Sequence, residues 1–193
     1  TAAAAGVLAI APDKVILASG AVSALPALEG LSPDAHVVDS WSVIRGEANV
    51  GKTVVIWDWR SDWVGLGLAQ MLAVNGCRVR LAVNGIVPGE RLPSMVRDHW
   101  VGELHKLGVE IVPYVRLFGA DGDTVYFQHL TSKQPVILEE VDTLVSHHAP
   151  RREAALEDAL RDLGLAPVAI GDCASPRTAE EAVLEGMRAG FEL

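Results

Sequence analysis

Only two of the 193 residues are cysteine, Cys77 and Cys173. Two thiols cannot hold a four-thiolate zinc or iron–sulfur site unaided, and they make no disulfide scaffold. Such usage fits a reduced, cytoplasmic setting. Positive charge is also scarce: 16 Lys and Arg face 25 Asp and Glu, for a formal net charge of -9. A field of that sign repels phosphate backbones and anionic lipid, so nucleic acid and membrane surfaces are poor partners. Long hydrophobic runs are missing too. The apolar opening up to Ala11 has no basic residues before it and breaks at Pro12 and Asp13, well short of a membrane span. It reads as neither a signal peptide nor an anchor. The first residue is Thr1, not Met, and with so abrupt a start the expectation is a processed product or an excised piece.

What the chain does have is apolar content. Half of it is hydrophobic, enough for one well-filled core, or for one domain plus a fragment of another. Short β-branched runs at 15–18, 53–57, 78–83, 109–112, 142–145 and 168–170 read as buried strands. Between the second and third, Val64, Leu68, Met71 and Leu72 share a helical face and Gly76 is placed to end the helix. Strand, helix and strand within about 30 residues make a βαβ unit. A second crossover helix over 94–107 aligns Val96, Trp100, Leu104 and Leu107, with Gly108 next. From Thr124 to Leu138 the texture changes to two antiparallel strands around a polar loop. A further helix over 153–163 carries Leu156, Leu160 and Leu163 on one face. The last helix begins at Thr178, with Glu181 completing a capping box. This alternation predicts an α/β fold, a Rossmann-like doubly wound parallel sheet with a β-meander.

One motif matches in text only. Gly46 to Thr53 satisfies the phosphate-loop pattern of glycine, four residues, then Gly-Lys-Thr. An ATP or GTP site needs a strand before the loop and a helix after it, so that helix and loop amides converge on the phosphates. Here the order is reversed: a short helix over 41–45 precedes the loop, and Lys52 runs straight into a strand. A P-loop NTPase is therefore the least favoured reading.

The turn after Trp57 stands where a dinucleotide-binding strand would carry Gly-x-Gly-x-x-Gly. With Gly65 as the third glycine, the first two positions are Arg60 and Asp62. Neither leaves the room that glycine gives a pyrophosphate. Asp58 and Asp62 add negative charge, offset in part by Arg60. Trp59 and Trp63 would take a nucleotide's space, and groove filling is the simplest role for them. About 20 residues on, where an acid would bind a ribose hydroxyl, stands Asn84. The expectation is a Rossmann-like domain whose NAD(P) site is doubtful.

Two further segments resemble a known family. Asp13 to Ala21, with Pro26 and Gly30 after it, resembles the strand and "ATGA" turn of two-dinucleotide-binding-domain flavoproteins; Ser19 replaces the usual Thr and keeps the hydroxyl. Ile170 to Thr178, then Ala182 and Gly186, is similar to their closing "GD" motif. Its Pro-Arg extension resembles the C-terminal region of the iron–sulfur flavoenzymes that include 2,4-dienoyl-CoA reductase, trimethylamine dehydrogenase and histamine dehydrogenase. The resemblance implies a parent with an FMN-bearing barrel and a 4Fe-4S cluster, both missing here, followed by two Rossmann-like domains of which the FAD/ADP type is split. It places residues 1–50 as the tail of the first half of that split domain, 51–150 as the inserted NAD(P)-type domain, and 151–193 as the returning half. Ser19, Gly20 and Ala21 would border the adenine side of FAD or ADP. Gly171 and Asp172 would face its ribitol or pyrophosphate, and a plain dipole-stabilising acid is the alternative for Asp172.

Other constellations read as structural. His147 and His148 read as a loop pair beside Arg151 and Arg152, and adjacent residues at a strand end point in opposite directions. His99 and His105 lack the spacing of a zinc-binding helix. Cys173 reads as a small buried side chain. The resulting expectation is the nucleotide-binding region of a flavin-dependent oxidoreductase, of amine dehydrogenase or dienoyl-CoA reductase type, that catalyses nothing alone. Its partners would be the remainder of its own polypeptide and an electron-transfer flavoprotein. The rival from another class is a non-enzymatic module that docks an electron-transfer partner.

Overall fold

A computed structural model of the chain describes residues 3–28 and 30–192. Expectations that touch Thr1, Ala2, Glu29 or Leu193 lie outside those residues. The chain divides into two compact units, one of Thr1–Ala24 with Pro150–Leu193 and one of Leu25–Ala149. The divisions fall at residues 24/25 and 149/150. The segment 25–50, expected with the first piece, therefore belongs to the second unit, where its strands find their partners.

The first unit opens with α1 (Ala4–Ala9), β1 (Ile16–Leu17) and β2 (Ala21–Val22). The chain then enters the second unit through β3 (Gly30–Leu31), β4 (Val37–Asp39) and α2 (Ser40–Ile44). A βαβ unit follows, made of β5 (Thr53–Asp58), α3 (Trp63–Val74) and β6 (Arg78–Val83). A second crossover, α4 (Ser94–Lys106), leads to β7 (Glu110–Val112). Next come β8 (Val115–Asp121), β9 (Thr124–His129) and β10 (Pro135–Leu138), and the unit closes with β11 (Thr143–His147).

The second unit's principal sheet is parallel, in the order β4-β11-β5-β6-β7. Strand β5 is its centre, and Val54, Val55 and Ile56 are fully buried. Each such side chain contributes about 1.5–3 kcal/mol on leaving water. On one face Val54, Ile56, Leu81 and Val145 meet Leu66, Leu68, Ala69 and Leu72 of α3, Leu104 of α4 and Val43 of α2. On the other face Val55, Trp57, Ala82 and Leu144 meet Val115, Leu117, Val125, Phe127 and Leu138 of the meander. Among the described residues, the helices of this unit thus serve one core and the antiparallel strands the other. The meander has one strand more than the texture of 124–138 suggested, because β8 pairs with β9 through a bulge between Leu117 and Gly119. Its far side pairs in parallel with β3. That contact is too close for a side chain: a Cβ on Gly119 would lie 2.2 Å from the Gly30 carbonyl oxygen.

The chain returns to the first unit through β12 (Arg151–Arg152), α5 (Ala155–Asp162), β13 (Val168–Ala169), a 3-10 turn (Gly171–Cys173) and α6 (Ala179–Phe191). Strand β1 pairs in parallel with β13, and β2 pairs antiparallel with β12. Leu17, Leu160 and Cys173 form the buried centre. Glu157, 5% exposed, is bridged by Arg152 and Arg161. The capping box expected at Thr178 and Glu181 is present. Among the described residues, no helix is long and apolar enough to cross a membrane.

Candidate functional site

A doubly wound sheet opens a crevice at the carboxyl ends of its strands where the strand order reverses. In the second unit that point lies between β5 and β11. Asp58 ends β5 opposite His147 on β11, and both side chains share the face covered by α3. His147 is 2% exposed. Its Nε2 lies 3.0 Å from Asp62 Oδ1 and its Nδ1 lies 2.9 Å from Ser40 Oγ. The carboxylate can only accept, which puts a proton on Nε2. His147 is therefore a strand residue in a closed network, not half of a loop pair. His148 points the other way and stacks on Trp59 with ring centroids 6.3 Å apart.

Asp62 is the N-cap of α3 and accepts the Val64 N–H. Its second oxygen accepts from Arg60 Nε at 2.7 Å. Burial alone would raise the Asp62 pKa, but the hydrogen bonds from His147 and Arg60 outweigh it and hold this carboxyl well below the usual range. Asp58 behaves oppositely. It is 0% exposed, and burial pushes its pKa up to about 6, although His147 and the Ser61 N–H act against the rise. Its Oδ1 accepts from Ser61 N–H at 2.8 Å, while Oδ2 has no hydrogen-bond partner among the described residues. Gly65 is essential to this packing, since a Cβ there would lie 2.2 Å from Asp58 Oδ2. The presumed third glycine thus accommodates a carboxyl of its own chain.

Serine, histidine and aspartate in a hydrogen-bonded row resemble a hydrolytic triad, but Ser40 is 3% exposed. A nucleophile must reach its substrate, so this row is a tether between α2, β11 and α3. The tryptophans do not fill the crevice as expected. Trp63 is 64% exposed and Trp59 39%; Asp62 and His147 fill it instead. Asn84 spends its amide on the Trp59 carbonyl. Beside the turn runs an open groove of about 240 Å³ lined by Trp59, Arg60, Ser61, Asn84, Glu90 and Arg91.

The phosphate-loop text lies between α2 and β5, so the order is helix, loop, strand. Two of its amides are already used: Gly51 N–H donates to Thr143 Oγ1 and Thr53 N–H to Asp142 Oδ2. Lys52 is exposed at the start of the strand.

In the first unit, the pairing of β1 with β13 brings the two resemblance motifs together. Ser19 Oγ donates to Cys173 Sγ at 3.1 Å across 154 residues of sequence. Gly20 takes φ +81°, and its carbonyl accepts from Glu153 N–H. Ala21 pairs with Arg152. Gly171 takes φ +60° and donates its N–H to Glu185 Oε2 at 2.7 Å, while Asp172 Oδ1 accepts the Arg177 N–H. Arg177 in turn holds Glu185. Five of the six expected site residues, Ser19, Gly20, Ala21, Gly171 and Asp172, therefore lie at adjacent strand ends of one unit, and Gly65 lies in the other. Sequence reasoning missed Ser40 and the role of His147. The N-cap Asp39, which marks Ser40 as the first residue of α2, was the available signal, but nothing local joins Ser40 to a residue 107 positions away. Among the described residues, no group of His, Cys, Asp and Glu is placed to hold a metal ion.

No family model matches the chain. It is 30% identical over 168 residues to bilirubin reductase of Mediterraneibacter gnavus, covering 86% of this chain and 25% of that protein. It is 24% identical over 216 aligned positions to N,N-dimethylglycine/sarcosine dehydrogenase of Chromohalobacter salexigens, covering 92% and 31% respectively. The structure of histamine dehydrogenase from Rhizobium sp. 4-9 superposes on the whole chain with a TM-score of 0.89 at 21% identity, over 32% of its own length. The chain spans about a quarter to a third of these proteins. Its sequence relatives are thus a reductase and a dehydrogenase, and its fold is that of a segment of histamine dehydrogenase.

Proposed function

We propose that the chain is the C-terminal nucleotide-binding region of a flavin-dependent oxidoreductase of the amine dehydrogenase or dienoyl-CoA reductase type. The observation that carries this reading is the superposition of its full length on one third of histamine dehydrogenase. The adjacency of the Ser19 and Gly171 motifs supports the first unit as part of a split FAD or ADP site. The second unit is its Rossmann-like insertion, with the NAD(P) crevice closed by Asp62. FMN and a 4Fe-4S cluster would belong to the missing part of the parent, and with them the chemistry. The chain catalyses nothing alone, resides in the cytoplasm, and packs against the remainder of its own polypeptide.

Calorimetric titration of the chain with FAD, ADP, NADH and magnesium ATP tests this assignment. FAD or ADP should bind, Asp172→Ala should weaken that binding, and NADH should give no heat. NADH binding that is lost in Arg60→Ala would overturn the closed crevice. Absence of both FAD and ADP binding would overturn the nucleotide-binding role.

The exposure of Trp59 and Trp63 favours a second reading, in which this surface docks an electron-transfer flavoprotein without binding a nucleotide. Under that reading Trp63→Ala weakens docking, and no nucleotide competes with the partner.

A further inference from the structure

A buried helix N-terminus that faces a crevice carries unpaired N–H groups and a partial positive charge, and it accepts an oxyanion readily. Helix α3 has twelve residues and begins at such a point. Its first turn is not empty, because the Asp62 carboxylate sits there, 3.0 Å from Val64 N, 2.7 Å from Arg60 Nε and 3.0 Å from His147 Nε2. Those donors come from the helix, from the preceding turn and from a strand 85 residues later in the chain. The Val64 N–H is the bond of a simple N-cap, but Arg60 and His147 go beyond it, since an N-cap aspartate is satisfied by backbone N–H groups alone.

A second, independent observation marks the same spot. Asp58 Oδ2 is fully buried, lies against Gly65 in the first turn of α3, and has no partner among the described residues. Buried carboxyl oxygens are nearly always paired, so an unpaired one at this point marks a polar site. The Asp62 carboxylate occupies the point on which the Val64 N–H, Arg60 and His147 converge.

We infer that the first turn of α3, Arg60 and His147 form a receptor for a single small oxyanion, occupied in this chain by its own Asp62 side chain as a tethered ligand. Asp62 is therefore an autoinhibitory contact that excludes any free carboxylate or phosphate from the crevice. This inference concerns the second unit only and does not depend on the flavoenzyme assignment.

Chemical rescue tests it. Thermal unfolding of the chain and of Asp62→Ala is followed in sodium formate, acetate, inorganic phosphate and chloride at matched ionic strength. The unsubstituted chain sets the general effect of each salt, phosphate being stabilising for folded proteins at large, and should show no saturating dose response in any of the four. Asp62→Ala should melt lower in chloride and regain most of the loss in formate or acetate, with a saturating dose response. Arg60→Gln added to Asp62→Ala should abolish that rescue. Recovery in phosphate as well would mean that the receptor admits a tetrahedral oxyanion; recovery in carboxylates alone would mean that it is limited to planar ones. If Asp62→Ala does not fold in chloride, the refolding yield in formate becomes the readout. Identical melting or refolding of Asp62→Ala in every salt overturns the inference, as does rescue that survives loss of Arg60.

Discussion

His147 Nε2 lies 3.0 Å from Asp62 Oδ1, and this one hydrogen bond joins the last strand of the parallel sheet to the first turn of the helix that follows its central strand. Through Nδ1 the same ring reaches Ser40 at the start of α2. Removing it should cost more than an average buried contact, because it leaves Asp62 short of a donor and opens a cavity. His147→Ala should destabilise the second unit by about 3 kcal/mol, and Ser40→Ala by about 1 kcal/mol. Urea unfolding followed by tryptophan fluorescence measures both.

Asp58 makes stability depend on pH in a direction unusual for a carboxylate. Its pKa rises from 3.8 to about 6 on folding, because burial penalises the charged form. The folded state then binds the proton more tightly than the unfolded state. The associated stability is complete below pH 4 and is lost as pH rises through 6, a change of roughly 3 kcal/mol. Asp62 works the other way: held low, its contribution is present above pH 4 and lost as acid protonates it. Both share the crevice with Arg60, His147 and Ser40. Asp58→Asn keeps an acceptor for Ser61 and cannot ionise. Chemical denaturation from pH 4 to 7 should therefore show a fall for the unsubstituted chain that is much reduced in Asp58→Asn.

Gly65 and Asp58 should be energetically coupled. Gly65→Ala drives a methyl group into the Asp58 carboxyl and should cost about 1–3 kcal/mol. In a double-mutant cycle with Asp58→Ala, the pair should cost less than the sum of the single changes by about 1 kcal/mol or more. Additive effects would separate the two residues.

Lys52 should be dispensable. The amides on either side of it, of Gly51 and Thr53, are bound to Thr143 and Asp142, and Lys52 is exposed. Lys52→Ala should shift stability by less than about 0.5 kcal/mol and leave the heat of mixing with magnesium ATP at the dilution value.

The central βαβ unit was legible because its signals are local: β5 is a β-branched apolar run, β6 is another interrupted only by Arg78 and Arg80, and the apolar face of α3 repeats at helical spacing up to Gly76. The capping box at Thr178 was legible for the same reason. Strand β8 was not, because an apolar Phe118 on the exposed side and Gly119 after it break the alternation, and the bulge shifts its register. The two-residue strands β2, β3 and β12 have no pattern to read and exist only through their partners. That segment 25–50 falls in the second compact unit has no local signal, because β4 carries just three residues and its place beside β11 depends on a strand about 100 residues away. At the site, the sequence shows Asp58 and Asp62 as negative charges hostile to pyrophosphate, with Arg60 offsetting part of them. What could not be read was that they have a partner in His147, since only the closed sheet brings it to them.

The position of β11 has a further consequence for how the polypeptide is made. This strand lies between β4 and β5, although both leave the ribosome well before it. The nascent chain must hold a gap, or a provisional pairing of β4 with β5, until residue 147 emerges. Only then can Ser40, Asp62 and His147 lock together. The first unit waits longer still, because β1 and β2 find β13 and β12 only after the whole intervening unit has been translated. Such late, long-range closure slows assembly relative to local pairing. It makes the interval before residue 147 emerges the period in which this chain most needs protection from aggregation.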